Sequence, residues 1–365
     1  MTSQLDTVRQ RFHRFAEQEA AGNSPLYERF ALGVAEDAEV ADLLTATSAN
    51  FAVPTLFFAA AQRALFAEPW HPLTRYYPSV GGHDGVDEAA WPEFRDFVLG
   101  RADKMRELIS SRTTQTNEVR RAAVLYPVLS LIAAQVGKAP LGLLEVGASA
   151  GLLLGMDRYG YRHRLPDGTD VNSGRKKARL VLDTAVRREQ GRGRAKAPAF
   201  DAKVGLDLTP VDVADEEQLS WLEACVWPDQ PRRLSFLRLA AEEVRADPPV
   251  LVAGDAVDDL YAAAARVPAD LPLVVFNSNL LAYVDEVRRA DYVEAVRALS
   301  ESRTLWWVAQ EPFGACLNLL LPEREDLVLD GPAHNVVSIV RWEKGRSEVR
   351  PVARSGMHGQ WVEWL

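Results

Sequence analysis

The stretch "LLEVGASAGLLL", Leu143 to Leu154, decides how the rest of the chain reads. An apolar run ends in Glu145-Val146, meets a turn containing Gly147 and Gly151, and gives way to a second apolar run. That succession predicts a strand, a tight turn and a helix. A turn of this kind gathers free backbone N–H groups at a helix start, which suits a phosphate or a carboxylate equally well. The glycine spacing is G-x-x-x-G, with Ser149 where the dinucleotide fingerprint G-x-G-x-x-G has its middle glycine. A nicotinamide dinucleotide also needs an acid about twenty residues on, at the end of the next strand. The acids near that distance, Asp167 and Asp170, sit in the turn "LPDGTD". No G-K-[ST] follows the second glycine, which excludes a P-loop.

Downstream, four more short apolar runs end in polar or small residues: "AKVGLDLTP" (202–210), "PVLVAGDA" (249–256), "LPLVVFNSN" (271–279) and "TLWWVAQEP" (304–312). Helical periodicity separates the second from the third and the fourth from the fifth. Strands alternating with helices imply a parallel sheet covered on both faces, with its ligand edge at the carboxyl ends of the strands. Along that edge stand Asp207, able to accept from both hydroxyls of a ribose, and Asp255, able to accept from an adenine amino group. Asn277 and Asn279 follow the fourth run, while Trp306 and Trp307 read as core. The tail "NVVSIVRWEKGRSEVRPV" alternates around Lys344-Gly345, a hairpin signal, and "GQWVEWL" extends it. Residues 156–201 are too long for one crossover and read as a helix followed by a loop or small hairpin. Within them the basic stretch 175–196 has no interleaved aromatics and reads as a solvated insertion.

Upstream, residues 4 to about 136 read as helices. The chain thus divides into a helical domain, 1–136, placed to cap a substrate, and an α/β domain, 137–365, with an insertion at about 158–201. In the first, "HPLTRYYPS" offers Tyr76 and Tyr77 as a substrate wall. "TNEVRR" puts Asn117, Glu118, Arg120 and Arg121 just before the helix that leads into the first strand, where an arginine could pair with a carboxylate. Tyr283, six residues past Asn277, could reach the same cleft.

The chain has 365 residues, a net charge of -9 and 47% hydrophobic residues, which fits a globular protein and argues against a general nucleic-acid binder. Two cysteines far apart indicate neither a disulfide framework nor a thiolate zinc site, and six histidines show no ligand spacing, so no metal is expected. With no apolar leader and no membrane-spanning window, a cytoplasmic protein is expected. The oligomeric state is left open.

E-x-G-x-x-x-G after a first strand, "GLDLTP" ending a second, "GDA" after a third and "N-S-N" after a fourth resemble the ordered motifs of class I S-adenosylmethionine-dependent methyltransferases. The resemblance implies a Rossmann-like, seven-stranded, mostly parallel sheet with an antiparallel C-terminal hairpin, here preceded by an all-α domain. It implies S-adenosylmethionine as cofactor. Glu145, Gly147, Ala148, Ser149 and Gly151 would then shape the turn under the methionine part, with Glu145 meeting the ammonium. Asp207 and Leu208 would border the ribose, Gly254, Asp255 and Ala256 the adenine, and Asn277 the sulfonium. Asn117, Glu118, Arg121, Asn279, Tyr283, Tyr76 and Tyr77 would face a small-molecule acceptor. No catalytic residue is assigned, because methyl transfer needs chiefly alignment and desolvation.

The whole chain also resembles an uncharacterised bacterial family, common in actinomycetes, that joins a helical N-terminal half to this domain. "HPLTRYYPS", "TNEVRR", "LLEVGASAGL", "VGLDLTPVDV", "VWPDQ" and "GDAVDDL" carry that likeness. The family's fourth strand usually ends in His-Ser, where this chain has Asn277-Ser278, which leaves a general base at that position unassigned. Two alternatives stand beside methyl transfer: aminocarboxypropyl transfer or cyclisation from the same cofactor, and a non-catalytic binding scaffold.

Overall fold

The computed structural model describes residues 4–189, 197–343 and 346–365. It is an α/β protein with a helical N-terminal region. The first helices are α1 (Gln4–Phe15), α2 (Pro25–Glu36), α3 (Ala38–Asp42), α4 (Pro54–Phe66), α5 (Ala90–Leu99) and α6 (Ala102–Ser111). Their starts follow from sequence: the Ser24 side chain accepts from Tyr27 N–H ahead of Pro25, Asp37 caps α3 in the same way, and Pro54 opens α4. Then come α7 (Ala122–Val136), α8 (Glu216–Ala224), α9 (Pro231–Ala246), α10 (Leu260–Ala264) and α11 (Glu286–Ser300).

Contacts divide the chain into two compact units, Met1–Thr116 with Asp215–Ser235, and Asn117–Ala214 with Phe236–Leu365. The first has an aromatic core in which Tyr27 stacks on Phe58 at 4.3 Å and Phe30 on Phe94 at 4.1 Å. Residues 215–235, expected as a crossover of the sheet, belong here because the buried Gln62 donates to the carbonyls of Ala224 (3.0 Å) and Val226 (2.7 Å). The boundary expected near residue 136 falls instead at 116/117. Helix α7 belongs to the second unit, where Tyr126 stacks on Tyr161 at 4.5 Å and His163 Nε2 lies 2.9 Å from the Ala123 carbonyl. The run Val119–Val136 is long and apolar enough to pass for a membrane span, contrary to the sequence reading, and 67% of it is buried inside the protein, as in a core helix.

The second unit is built on one mixed, mostly parallel sheet. Its strands are β1 (Leu141–Val146), β2 (Gly160–Arg164), β3 (Asp170–Gly174), β4 (Val181–Arg188), β5 (Phe200–Asp207), β6 (Val250–Ala253), β7 (Leu273–Ser278), β8 (Leu305–Glu311), β9 (His334–Glu343), β10 (Arg346–Gly356) and β11 (Trp361–Trp364). They lie in the order β3-β2-β4-β11-β10-β9-β8-β7-β1-β5-β6. The five apolar runs form the parallel block β8-β7-β1-β5-β6. Strands β9 and β10 pair antiparallel, as the alternating tail predicts; the turn residues Lys344 and Gly345 lie outside the described residues.

Two expectations are corrected. Among the described residues the sheet has eleven strands rather than seven, because the insertion supplies β2, β3 and β4, and β4 pairs with β11. The signal was present in β4, whose Leu182, Thr184 and Val186 are buried in alternation. The part of the basic stretch beyond residue 189 lies outside the described residues. Second, no α-helix follows the glycine turn. Leu152–Arg158 is a 3₁₀ segment, in which Tyr159 Oη donates to the Leu152 carbonyl at 2.6 Å and Tyr161 Oη to that of Met156 at 2.5 Å. Only eight residues separate Gly151 from β2, and these hydroxyls satisfy the carbonyls in place of a helical ladder.

Candidate functional site at the carboxyl ends of the strands

Strand β1 has β5 on one side and β7 on the other, so the chain switches direction in the sheet at β1. In open α/β sheets the crevice beyond such a strand is where ligands bind. Gly147 leaves β1 at φ 78°, and a side chain there would press on Leu280 at 3.0 Å. Ala148 is buried, and Gly151 closes the turn at φ 65°. Between them Ser149, which has a Cβ, is held at φ 48°. Its N–H donates to Asp207 Oδ2 at 2.8 Å, its Oγ accepts from Asn117 Nδ2 at 2.6 Å, and its carbonyl accepts from Val211 N–H at 3.1 Å.

Glu145, on β1, is 3% exposed, and its Oε2 is buried with no hydrogen-bond partner among the described residues. Burial pushes its carboxyl well above the usual range, the nearby Asp207 pushes the same way, and the Arg121 charge partly opposes them. An ionised carboxylate left so would cost several kcal/mol, so burial favours the protonated form.

At the end of β5, Asp207 accepts from Ser149 N–H through Oδ2 and from Thr209 N–H through Oδ1 at 2.9 Å. Two of its roughly four acceptor sites are thus used on backbone. Leu208 beside it is 74% exposed, which marks an apolar face turned outward. Beyond β6, Gly254 N–H donates to the Asp207 carbonyl at 2.9 Å, and Ala256 packs on the core below. Asp255 Oδ1 accepts from Val257 N–H (2.8 Å), Asp258 N–H (3.1 Å) and Arg288 (2.7 Å), the cap of a turn.

Strand β7 ends differently from the sequence expectation. Asn277 is fully buried and turned into the core rather than toward a ligand. Its Nδ2 donates to Glu311 Oε1 at 2.6 Å, and its Oδ1 accepts from Trp307 Nε1 at 2.7 Å and Tyr292 Oη at 3.3 Å. Side chains alternate along a strand, so the run that put Asn277 at the edge also put it on the face packed against α11. Asn279, at φ 55°, does stand at the edge: its Nδ2 donates to the Met357 carbonyl at 3.1 Å, and its buried Oδ1 lacks a partner among the described residues. Tyr283 is 80% exposed.

The last residue of β8, Glu311, escaped the sequence reading, although its run ends in an acid as those of β1, β5 and β6 do. It is 1% exposed, and accepts at Oε1 from Asn277 and from Leu280 N–H (2.8 Å) and at Oε2 from Leu281 N–H (3.2 Å). Burial pushes its carboxyl up to about 7 against the pull of those donors and of Arg121. By holding Leu280 it sets the surface against which Gly147 turns.

Asn117, Glu118 and Arg121 join this edge, as their position before α7 predicts. Arg121, 5% exposed, donates from Nε to the Met357 carbonyl (3.0 Å) and from Nη1 to that of Ser278 (3.1 Å). Arg120 lies over the Phe236 ring at 5.5 Å. The turn Met357–Gly359, between β10 and β11, is the second contribution the sequence did not announce. Nothing in "SGMHGQW" signals it; only the return of β10 to the carboxyl edge brings it there.

Tyr76 and Tyr77 belong to the other unit and offer no substrate wall. Both rings are buried in its core, and Tyr76 Oη donates to Asp87 Oδ1 at 2.6 Å. Adjacent tyrosines on a short 3₁₀ turn anchor that turn from within.

Fold and site define an α/β protein that carries a separate helical unit and gathers buried carboxylates at the carboxyl ends of its central strands. The chain belongs to DUF2332, a family described as uncharacterized protein conserved in bacteria, whose model matches residues 9–364. No curated protein matches it.

Proposed function

We propose that the chain binds S-adenosylmethionine at the carboxyl ends of β1, β5 and β6 and transfers its methyl group to a small-molecule acceptor, as a cytoplasmic enzyme. The observation that carries this reading is Glu145, a carboxylate 3% exposed whose Oε2 has no partner among the described residues. A buried acid in that state is stabilised by a cation that enters from outside, and an α-ammonium group answers that need.

The neighbouring residues fit the rest of the cofactor. Asp207 keeps lone pairs for ribose hydroxyls beyond the two backbone N–H groups it accepts, and the exposed Leu208 offers an apolar face to the adenine. Asp255 has three donors on Oδ1, so an adenine amino group would meet Oδ2. S-adenosylmethionine supplies a sulfonium-activated methyl group. The protein's part is to hold the turn, exclude water and align the acceptor.

Isothermal calorimetry with S-adenosylmethionine and S-adenosylhomocysteine tests the proposal. The wild-type chain should bind both, and Asp207→Ala should weaken each at least tenfold. Absence of heat and of a thermal shift with either ligand at millimolar concentration would sink it. If methylthioadenosine forms in place of S-adenosylhomocysteine, the cofactor stands and the transferred group changes.

A further inference from the structure

We infer that Glu118 and His358 form a proton-accepting pair on the acceptor side of this site, so that the acceptor is a molecule that releases a proton from N, O or S as it is alkylated. The inference rests on the S-adenosylmethionine reading and adds to it the chemical class of the substrate.

His358 sits at the centre of a turn whose backbone is fixed on every side. The preceding carbonyl, of Met357, accepts from both Arg121 Nε (3.0 Å) and Asn279 Nδ2 (3.1 Å). The following one, of Gly359, accepts from Thr184 Oγ1 at 2.7 Å. His358 N–H itself donates to Gln360 Oε1 at 3.1 Å. Gly359 is at φ 70°, and a Cβ there would meet the Arg120 carbonyl at 2.7 Å, so the turn is pressed against the segment that carries Glu118.

His358 Nδ1 is shielded from solvent and lies 3.9 Å from Glu118 Oε2, while the side chain as a whole is 43% exposed and that of Glu118 only 2%. The exposed part is therefore the rest of the side chain, and we assign the proton-accepting role to Nε2. Glu118 Oε1 accepts from Arg120 N–H at 3.1 Å, which fixes the carboxylate and aims Oε2 at the imidazole. A buried carboxylate 3.9 Å from one ring nitrogen, beyond direct hydrogen-bond reach, favours the imidazolium through its charge. Among the charges of the described residues, Arg120 and Arg121 lie on the turn of Glu118, and Arg121 also acts on Glu145.

The pair also stands at the right place along the edge. Asn117, adjacent to Glu118, donates to Ser149 in the β1 turn, and Met357, adjacent to His358, accepts from Asn279 at the end of β7. In the reaction the acceptor's lone pair forms the bond to the methyl carbon, and the carbon–sulfur bond breaks with its electron pair left on sulfur as a neutral thioether. The acceptor's proton passes to Nε2 of His358, and Glu118 balances the imidazolium charge.

The test is a histidine-labelled NMR titration of the full chain, with the His358 signals assigned by their loss in His358→Gln. The titration midpoint of His358 should lie about one pH unit higher, a tenfold greater proton affinity, in the wild type than in Glu118→Gln. Glu118→Asp keeps the charge, should give an intermediate midpoint, and serves where the glutamine variant does not fold. Saturating S-adenosylhomocysteine should shift the His358 signals. A midpoint unaffected by either Glu118 variant overturns the pair. So does S-adenosylhomocysteine that binds by calorimetry yet leaves His358 unmoved. If it does not bind at all, the cofactor reading falls and takes the acceptor assignment with it, while the titration still decides whether the two side chains are coupled.

Discussion

Glu145 and Glu311 end strands β1 and β8, separated in the sheet only by β7, and both carboxyls are buried and pushed upward by that burial. Glu311 accepts from Asn277, Leu280 and Leu281, whereas Glu145 has an oxygen with no partner among the described residues. Burial and acidity therefore do not separate a structural acid from a binding one. The count of donors does: the satisfied carboxylate organises a loop, and the unsatisfied one is the acid proposed to meet a cofactor ammonium.

Substitution breaks this comparison most sharply at Glu311. Glu311→Ala strips acceptors from three donors, two of them in buried hydrogen bonds, opens a cavity, and should cost about 4 kcal/mol in chemical denaturation, with the β7 loop loosened. A finding that the protein tolerates it would mean that Glu311 is not the fastener of that loop.

The next effect is the dependence of stability on pH. Because the folded carboxyl of Glu311 titrates at about 7, above its unfolded value, the native state binds the proton more tightly. Its stabilising contribution is complete below the ordinary carboxylate range and lost as pH rises through 7, by about 3 kcal/mol at most. Glu145 acts in the same direction. Denaturation midpoints measured from pH 4 to 8 should fall accordingly, and Glu311→Gln should flatten part of the slope.

Glu145→Gln should leave the fold intact and weaken S-adenosylmethionine ten- to a hundredfold, about 1.4 to 2.7 kcal/mol. In the wild type a bound cation should favour ionisation of a carboxyl that burial biases toward its protonated form, so binding should release a proton and tighten with rising pH. Calorimetry in buffers of different ionisation enthalpy reads that proton, and the variant should not release it.

The smallest effect is at Ser149. Ser149→Gly relaxes a residue at φ 48° and removes the oxygen that accepts from Asn117, two changes of opposite sign that should leave stability within about 1 kcal/mol.

The parallel block was legible because each of its strands is an apolar run closed by a polar residue, and the turn at Gly147 because its glycines need positive φ. Asn277 shows the limit of that rule: position at a strand end says nothing of the face, and one residue decides between core and cleft. The edge strand β3 was obscured because it is largely exposed and has little apolar content to repeat, and β2 because its buried side chains, Tyr161 and His163, are polar-tipped. His358 was out of reach altogether. Glu118, which faces its ring, and Arg121 and Asn279, which hold the neighbouring Met357 carbonyl, lie more than seventy residues away, and only the order of the strands brings them together.

The path of the chain through the helical unit has a consequence for synthesis. Phe15 and Tyr27, from the first helices, pack against Trp227 at 5.4 and 5.6 Å, and Gln62 finds its acceptors at Ala224 and Val226. A nascent chain that has emerged only as far as α6 has helices with an open seam. Their core closes once residues 215–235 have left the ribosome, and β1 through β5 precede that segment, so the N-terminal unit begins first and finishes after half of the sheet has been made.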